Sequence, residues 1–332
     1  MVEFDIIYRD IKLRVICKSE FVVMIKNHLE GHVKFCEPCG NATYTLCISE
    51  DDKIQNGLYE KIIDKWFNYA TADCYIDDKN KICYLNNMCT DGLENLTLLI
   101  QYFAGNVLNR LLEIKGYIAF HSSCVEKDGD GVLFVAGRNS GKTVCMLNMM
   151  HYGWNSVTND KSAIKDIDGG FNVYGIAQSV SVRMSKEFRS RPENQKYVEY
   201  GLRIGKTFSD QNMLEGNNIT MNDIELARLN GVSQVEDVML SALFVPRYNP
   251  TLKYPVFDRM TEIETLNVLR EQLLPLVHDT TTFLKNMHLD DEILYNPEII
   301  INKLIDIPCY HCEQNEYTTE DFVTKVRSLS WN

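Results

Sequence analysis

One octet of the sequence has the residue types and spacing of a phosphate-binding loop: a small residue, four variable ones, then glycine, lysine and a hydroxyl residue. The octet consists of Ala136, Gly137, Arg138, Asn139, Ser140, Gly141, Lys142 and Thr143. In such a loop, backbone N–H groups point inward at the start of a helix and hold phosphate oxygens. Lys142 adds a positive charge at the β and γ phosphates, and the Thr143 hydroxyl is a ligand for magnesium. The octet therefore predicts a nucleotide-binding site; its alternative is a glycine-containing surface loop.

An acidic residue follows at a suitable distance. The short strand Ser156–Thr158 precedes Asn159 and Asp160, and in open α/β sheets the carboxyl ends of strands face the ligand crevice. One helix and one strand separate Asp160 from the octet, so we expect its carboxylate to return to the phosphates and the magnesium ion. Asp160 is thus a candidate Walker B-like acid. The alternative is a solvated turn acid, because acids are common in turns.

The elements around the octet are those that a phosphate-binding loop needs. An apolar strand over Tyr117–Val125, a turn over residues 128–131 and a second strand over Val132–Val135 lead into it. Apolar residues at helical spacing over Val144–His151 follow it. A strand before the octet and a helix after it favour a nucleotide site over a chance match.

Before this segment, the chain alternates strand-like and helix-like pieces, which predicts a small α+β module. The predicted strands are Phe4–Tyr8, Ile11–Cys17, Ala42–Ile48, Asp73–Ile76 and Ile82–Leu85. The predicted short helices are Glu20–Leu29 and Gly57–Phe67. A longer helix is predicted over Glu94–Ile114, where apolar residues recur at helical spacing.

We place the domain boundary at the end of this long helix. The prediction is an N-terminal α+β recognition module over residues 1–115 and a second domain, which contains the octet, over residues 116–332. From about residue 260 the chain has the pattern of a mostly helical C-terminal extension, with a strand-like piece over Ile307–Glu313.

The segment from Tyr117 to Ile164 resembles the catalytic domain of HPr kinase/phosphorylase. Relatives of that enzyme include HPr kinase-related proteins of peptide-modification gene clusters and, more distantly, PEP carboxykinase. The resemblance depends on the triplet His121-Ser122-Ser123 that opens a hairpin, on the octet after that hairpin, and on the helix, glycine and short strand that lead to Asp160. It implies an α/β fold with a P-loop mixed sheet that has antiparallel strands at its edge.

The resemblance also implies roles for individual residues. The octet would bind the phosphates of ATP, and Thr143 and Asp160 would hold Mg²⁺. His121 would lie beside the reacting hydroxyl, so that Asp160, His121 and Lys142 are the candidate catalytic residues. The alternative for His121 is a hydrogen-bonded histidine within a strand.

Two positions depart from the family pattern. The family has two adjacent aspartates where this chain has Asn159 and Asp160, so the carboxylate expected to act as general base is replaced. The segment Val180–Arg183 lies where the bifunctional enzyme has Glu-Ile-Arg-Gly, and it lacks the glutamate and the glycine. The sequence therefore does not support phosphorylase activity or recognition of HPr. His121 could accept the proton instead, since histidine titrates near neutral pH.

Three functions are compatible with these residues. The first is an ATP-dependent kinase that transfers the γ-phosphate to a hydroxyl, of Ser or Thr in a peptide or protein or of a small alcohol. The second is a nucleotide-binding regulatory or scaffold protein in which Asn159 marks lost catalysis. The third is a nucleotide hydrolase, for which the sequence has no arginine finger or water-positioning glutamine at a recognisable spacing. Intact Lys142, Thr143 and Asp160 favour the kinase.

Composition restricts the partners. The formal charge is −12, from 46 acidic against 34 basic side chains, which disfavours a nucleic-acid partner. The start of the chain has no basic segment followed by an apolar one, and no apolar run reaches the roughly 18 residues that a membrane span needs. We therefore expect a soluble cytoplasmic protein without a membrane partner, and a homo-oligomer remains open.

The cysteine residues suggest two further sites. Their count of 11 is odd and the chain is long, so we expect reduced thiols rather than a disulfide framework. Two groups have spacings that tetrahedral zinc accepts. The ligand candidates are His28, His32, Cys36 and Cys39 in the first group and Cys309 and Cys312 in the second. One alternative is chance CxxC pairs in a cysteine-rich chain. The sequence disfavours a redox-active CxxC, because neither pair opens a helix in a thioredoxin-like βαβ unit.

Overall fold

The computed structural model describes most of the chain and divides it into two compact units. The described residues are 1–49, 58–64, 70–176, 180–208, 218–249, 251–277, 279–290, 293, 296–315 and 319–330. Unit 1 comprises Met1–Ile118 and Leu274–Pro297, and unit 2 comprises Ala119–Leu273 and Glu298–Asn332. The sequence-based boundary at residue 115 did not include the return of Leu274–Pro297 to the first unit.

Strands and helices alternate along most of the chain. The strands are β1 Val2–Tyr8, β2 Ile11–Cys17, β3 Lys34–Cys36, β4 Tyr44–Ile48, β5 Leu58–Asp64, β6 Ala70–Asp77, β7 Ile82–Cys89, β8 Ile118–Lys127, β9 Asp130–Val135, β10 Asn155–Thr158, β11 Lys161–Ile167, β12 Gly170–Gly175, β13 Val180–Arg183, β14 Asn218–Met221, β15 Asp237–Tyr248, β16 Val256–Arg259, β17 Leu273–Leu274 and β18 Cys309–Gln314. The α-helices are α1 Ser19–Leu29, α2 Leu93–Ile114, α3 Lys142–His151, α4 Lys186–Ser190, α5 Gln195–Arg203, α6 Asp223–Asn230, α7 Glu262–Gln272, α8 Pro297–Leu304 and α9 Thr319–Ser330. Short 3-10 helices cover Pro192–Asn194 and Asp279–Asn286.

Unit 1 contains a mixed sheet with the strand order β3-β1-β2-β4-β7-β6-β5. Strand β4 is parallel to β2 and to β7, whereas the other neighbours are antiparallel. In β2 every second side chain is buried, because side chains alternate between the two faces of a strand. Helices α1 and α2 pack together, and the long helix that the sequence predicted over Glu94–Ile114 is confirmed as α2.

The helix predicted over Gly57–Phe67 is wrong over its described part. Leu58–Asp64 is strand β5, antiparallel to β6, while residue 57 and residues 65–67 lie outside the described part. Tyr59 lies directly opposite Tyr75, with ring centroids 4.9 Å apart, and its hydroxyl donates to Asp73 Oδ1 over 2.9 Å. Such cross-strand aromatic pairs stabilise a sheet, and this contact is not visible in the local sequence pattern.

Hydrogen bonds from a buried arginine of α2 connect the returning segment Leu274–Pro297 to the rest of unit 1. Arg110 Nη1 lies 2.7 Å from Glu113 Oε2 in α2, and both side chains are buried. Arg110 Nη2 donates to the backbone carbonyls of Lys285 and Met287, over 3.2 and 2.9 Å. A buried guanidinium needs such acceptors, and the returning segment supplies them.

Unit 2 contains a second mixed sheet with the order β10-β8-β11-β12-β15-β18-β16. Strand β9 pairs antiparallel with β8 and parallel with β15, and β15 is parallel to β18. The carboxyl ends of β9, β15 and β18 therefore meet at one edge of the sheet. Helix α3 follows β9, and its buried side chains, such as Met146 and Met149, join the core with Phe134 of β9 and Phe244 of β15.

The C-terminal part of the chain belongs to this sheet. The prediction of a strand near Ile307–Glu313 is confirmed as β18, but β18 lies inside the sheet, between β15 and β16. Cys312 of β18 is fully buried in the core of unit 2. The other described elements after residue 260 are α7, α8, α9, the 3-10 helix Asp279–Asn286 and the two-residue strand β17. The sequence-based prediction of a mostly helical extension did not foresee that β18 lies inside the sheet. Among the described residues, no helix is both long and apolar enough to cross a bilayer.

Candidate functional site

The octet connects the end of β9 to the start of α3, which begins at Lys142. Two of its residues have positive φ angles, +64° at Asn139 and +101° at Gly141. Asparagine tolerates such a conformation, and glycine adopts it without a steric cost. A Cβ atom on Gly141 would lie 3.4 Å from Nε2 of the buried Gln314. The positive φ angle therefore favours glycine at this position, whereas the space beside it would admit a Cβ atom at ordinary van der Waals distance.

Lys142 folds back over the octet. Its Nζ donates hydrogen bonds to the carbonyls of Ala136 and Gly137, over 2.6 and 2.9 Å, and the side chain is only 6% exposed. Burial lowers the pKa of Lys142 from 10.5 to about 8, against the opposing effect of the Asp160 carboxylate. The Ser140 hydroxyl also donates to the Gly137 carbonyl, over 2.9 Å. The ammonium is held near the bend of the octet.

A buried amide connects Thr143 to strand β8. Asn159 is 3% exposed, and its Oδ1 accepts hydrogen bonds from the Thr143 hydroxyl and from the Ser123 hydroxyl, each over 3.2 Å. Because Thr143 donates its only hydroxyl proton to Asn159, both lone pairs of Thr143 Oγ1 remain available to a ligand. Asn159 thus orients the Thr143 hydroxyl.

Asp160 lies in a turn beside His121. Its φ is +77°, and its carbonyl accepts a hydrogen bond from the Ser122 N–H over 3.1 Å. Asp160 Oδ1 lies 2.9 Å from His121 Nε2, and its side chain is 43% exposed. The sheet order explains the contact between Asp160 and His121. Strand β8 lies between β10 and β11, so the turn that connects β10 to β11 must cross β8.

These side chains line one cleft of about 640 Å³ in unit 2. The lining residues are His121, Arg138, Asn139, Ser140, Gly141, Lys142, Thr143, Val144, Leu147, Asp160, Ser181, Val182, Arg183, Phe188, Asn218 and Tyr248. The cleft thus brings together all the residues predicted for the nucleotide site except Ala136 and Gly137. Asn159 does not line it, because its side chain lies beneath Thr143. A volume of this size is typical of small-molecule sites.

Positive charge dominates the cleft. Arg138 and Arg183 are exposed, and within the described part of the chain neither guanidinium has an ion-pair partner. With Lys142 they face the single lining carboxylate of Asp160. In a chain with a net charge of −12, three cations around one cleft favour an anionic ligand.

Sequence reasoning missed several lining residues. Phe188, Asn218 and Tyr248 come from three separate parts of the chain, and no local motif indicates them. Tyr248 ends β15, which is parallel to β9 and therefore delivers its last residue to the same sheet edge as the octet. The parallel pairing, which the sequence pattern did not reveal, was the missing information.

The side chains fit a magnesium ion in their chemistry. Mg²⁺ prefers oxygen ligands, and the cleft offers the Thr143 hydroxyl and the Asp160 carboxylate. The amide oxygen of Asn159 is not an equivalent ligand, since it already accepts two hydrogen bonds. A magnesium ion bound here would have two protein ligands, and phosphate oxygens and water would complete its coordination shell.

The predicted zinc groups do not assemble as ligand sets. Within the described residues, Cys36 and Cys39 cluster with Asp5, and neither histidine joins them. Burial lowers the pKa of His28 to about 4, with His32 as a second cause. In the other group, three positions separate the two cysteines of β18, so their side chains point to opposite faces of the sheet.

Comparison with known proteins gives little further information. No family model and no curated protein matches the chain. Chains of solved structures do match, 75 in number, and one of them is the Hpr(Ser) kinase/phosphatase from Coxiella burnetii. That structure is 13% identical with a TM-score of 0.30, and the match covers 63% of this chain and 94% of that chain. A match at this level decides neither the fold nor the function of this chain.

Proposed function

We propose that this protein is a magnesium-dependent kinase that transfers the γ-phosphate of ATP to a hydroxyl group. The observation that carries the proposal is the shared cleft, where Lys142, Thr143, Asp160 and His121 all meet. The acceptor is a Ser or Thr hydroxyl of a peptide or protein, or a small alcohol. Phosphoryl transfer depends mainly on positioning and charge neutralisation, and this cleft has groups for both.

Nucleotide binding uses the octet. Its backbone N–H groups at the start of α3 hold phosphate oxygens, and the partial positive charge of the helix N-terminus adds to the attraction. Lys142 leaves the carbonyls of Ala136 and Gly137 and turns its ammonium group to the β and γ phosphates. The exposed guanidinium groups of Arg138 and Arg183 are available to the outer phosphate oxygens.

Thr143 and Asp160 hold the magnesium ion in this proposal. When bound, the ion neutralises charge on the phosphate oxygens during transfer. Asn159 keeps the Thr143 hydroxyl in the orientation that leaves its lone pairs free. An amide oxygen can accept the Thr143 hydrogen bond as a carboxylate oxygen would. The asparagine at 159 is therefore compatible with turnover.

His121 is the candidate base for the acceptor hydroxyl. His121 Nε2 and Asp160 Oδ1 are 2.9 Å apart. In the neutral imidazole, Nε2–H donates a hydrogen bond to this carboxylate oxygen. The other ring nitrogen, Nδ1, then carries a lone pair and can take the proton of the acceptor. Asp160 thus has two functions, a contact with the metal and the orientation of His121.

The test is ADP release from Mg-ATP, measured with and without a library of hydroxyl-containing peptides and small alcohols. Acceptor-dependent release, lost in Lys142→Met and kept in the control Lys325→Met, supports the kinase. Lys325 is a suitable control because it is exposed on α9 and does not line the cleft. Release that does not depend on an acceptor means a hydrolase. Nucleotide binding without any release means a regulatory or scaffold protein, and both results overturn the proposal.

A further inference from the structure

A second cluster of reactive side chains lies in unit 1. The Sγ atoms of Cys36 and Cys39 and a carboxylate oxygen of Asp5 all lie within 4.8 Å of one another. Cys36 is the last residue of β3 and pairs with Asp5 of β1 in the sheet register. The chain then turns through Glu37 and Pro38, so that the second thiol returns to the first.

Hydrogen bonds fix this turn. Asp5 is fully buried and accepts two hydrogen bonds from Arg14, over 2.9 and 3.2 Å, and one from the Cys39 N–H over 2.9 Å. The Lys12 ammonium donates to the Cys39 carbonyl over 2.7 Å, and Arg14 Nη2 donates to the Gly40 carbonyl over 3.0 Å. The two thiols thus lie close together because these hydrogen bonds hold the backbone at Cys39 and Gly40.

The charges around the thiols disfavour a metal ion. The oxygens of Asp5 already accept three hydrogen bonds, two of them from a guanidinium. The Lys12 ammonium lies 3.5 Å from Cys39 Sγ, in hydrogen-bonding contact. A divalent cation between the thiols would face both positive side chains, and like charges at such distances repel strongly when partly buried.

The same charges favour thiol chemistry. During thiol–disulfide exchange, negative charge develops on the sulfur atoms, and the ammonium of Lys12 lies beside Cys39 Sγ to stabilise it. The two thiols differ in access, since Cys39 is exposed and Cys36 is half-buried. Loss of solvation and the neighbouring Cys39 raise the pKa of Cys36. Cys39 is therefore the attacking thiol and Cys36 the resolving one.

We propose that Cys36 and Cys39 form a redox-active pair that exchanges with low-molecular-weight disulfides. The Cys39 thiolate attacks one sulfur of the external disulfide, which gives a mixed disulfide and releases one thiolate. Cys36 loses its proton to solvent and attacks Cys39 Sγ, which forms the Cys36–Cys39 disulfide and releases the second thiolate. The pair loses two protons and two electrons, and the external disulfide takes up two electrons and two protons to become two thiols.

The experiment treats the reduced full-length chain with a glutathione redox buffer that contains a chelator, followed by acid quenching, alkylation and mass spectrometry of peptides. In the wild type we expect a Cys36–Cys39 bond that a tenfold excess of a stronger dithiol reductant fully reverses. Cys36→Ser should accumulate a glutathione adduct on Cys39, because the resolving thiol is missing. Lys12→Met should slow formation of the bond by about threefold or more.

The chain supplies its own controls. Cys309 and Cys312 have the same spacing but are buried on opposite faces of β18, so they should stay reduced in the same samples. Cys89→Ser removes an exposed cysteine elsewhere in unit 1 and should leave the exchange unchanged. Separate glutathione adducts on Cys36 and Cys39 without an intramolecular bond would overturn the proposal. Stoichiometric zinc that is retained in the wild type, lost in Cys36→Ser and protective against oxidation would overturn it as well.

Discussion

The nucleotide binding that we propose should depend on pH in a defined window, because it involves the protonation of Lys142. In the free protein, burial lowers the pKa of Lys142 from 10.5 to about 8, which corresponds to about 3 kcal/mol against the charged form. Bound phosphates favour the ammonium and raise its pKa again. Binding therefore takes up a proton at pH values above about 8.

The size of the effect follows from the fraction of protonated lysine. Above the pKa of about 8, this fraction in the free protein falls tenfold with each pH unit. The affinity for Mg-ATP should thus be nearly constant up to pH 7.5 and about tenfold weaker at pH 9. Proton uptake should approach one per nucleotide at pH 9, because the free lysine is then mostly neutral.

Isothermal titration calorimetry of Mg-ATP binding, in buffers of different ionisation enthalpy between pH 7 and 9.5, measures both quantities. Lys142→Met should bind weakly and lose the pH dependence. Lys161→Met is the matched control, since burial also lowers the pKa of Lys161, which does not line the cleft. A wild-type affinity that does not change with pH, or a profile that Lys161→Met removes, would show that Lys142 does not cause the pH dependence.

Three further substitutions test the cleft. Asp160→Asn should lower magnesium-dependent turnover at least about tenfold, the size of effect known for residues around metal sites. The control Asp128→Asn, at an aspartate that also has a positive φ angle, should leave turnover unchanged. Asn159→Asp should change turnover by less than about tenfold, because residue 159 lies beneath Thr143 and outside the cleft; a gain of several hundredfold would mean that the natural protein lacks its base. Gly141→Ala should lower the free energy of unfolding by about 1–3 kcal/mol in urea titrations, since φ there is +101°, and an unchanged midpoint would contradict that strain.

Local patterns predicted the elements that carry the octet. The strand before it, the helix after it and the short strand before Asn159 are all present. The first is recognisable as a continuous apolar run and the helix from its apolar residues at helical spacing. The long helix α2 was predictable for the same reason. Strand β5 was not, since its pairing with β6 depends on a partner outside the local window.

The candidate site was predictable in its residue types and not in its geometry. The sequence indicated that Lys142, Thr143 and Asp160 belong together, but it gave Asn159 the place of a missing base. The turn between β10 and β11 determines instead that Asp160 faces the cleft and Asn159 faces Thr143. That division depends on the position of β8 between the two strands, which is a property of the sheet order.

We propose that the octet binds a magnesium nucleoside triphosphate. The most direct test is calorimetric titration of the protein with ATP at pH 7.5, with and without Mg²⁺. We expect one site per chain, with an affinity that magnesium increases and that Lys142→Met reduces at least tenfold, while Lys325→Met binds like the wild type. Absence of binding in the wild type, or equal binding by Lys142→Met, would contradict the claim.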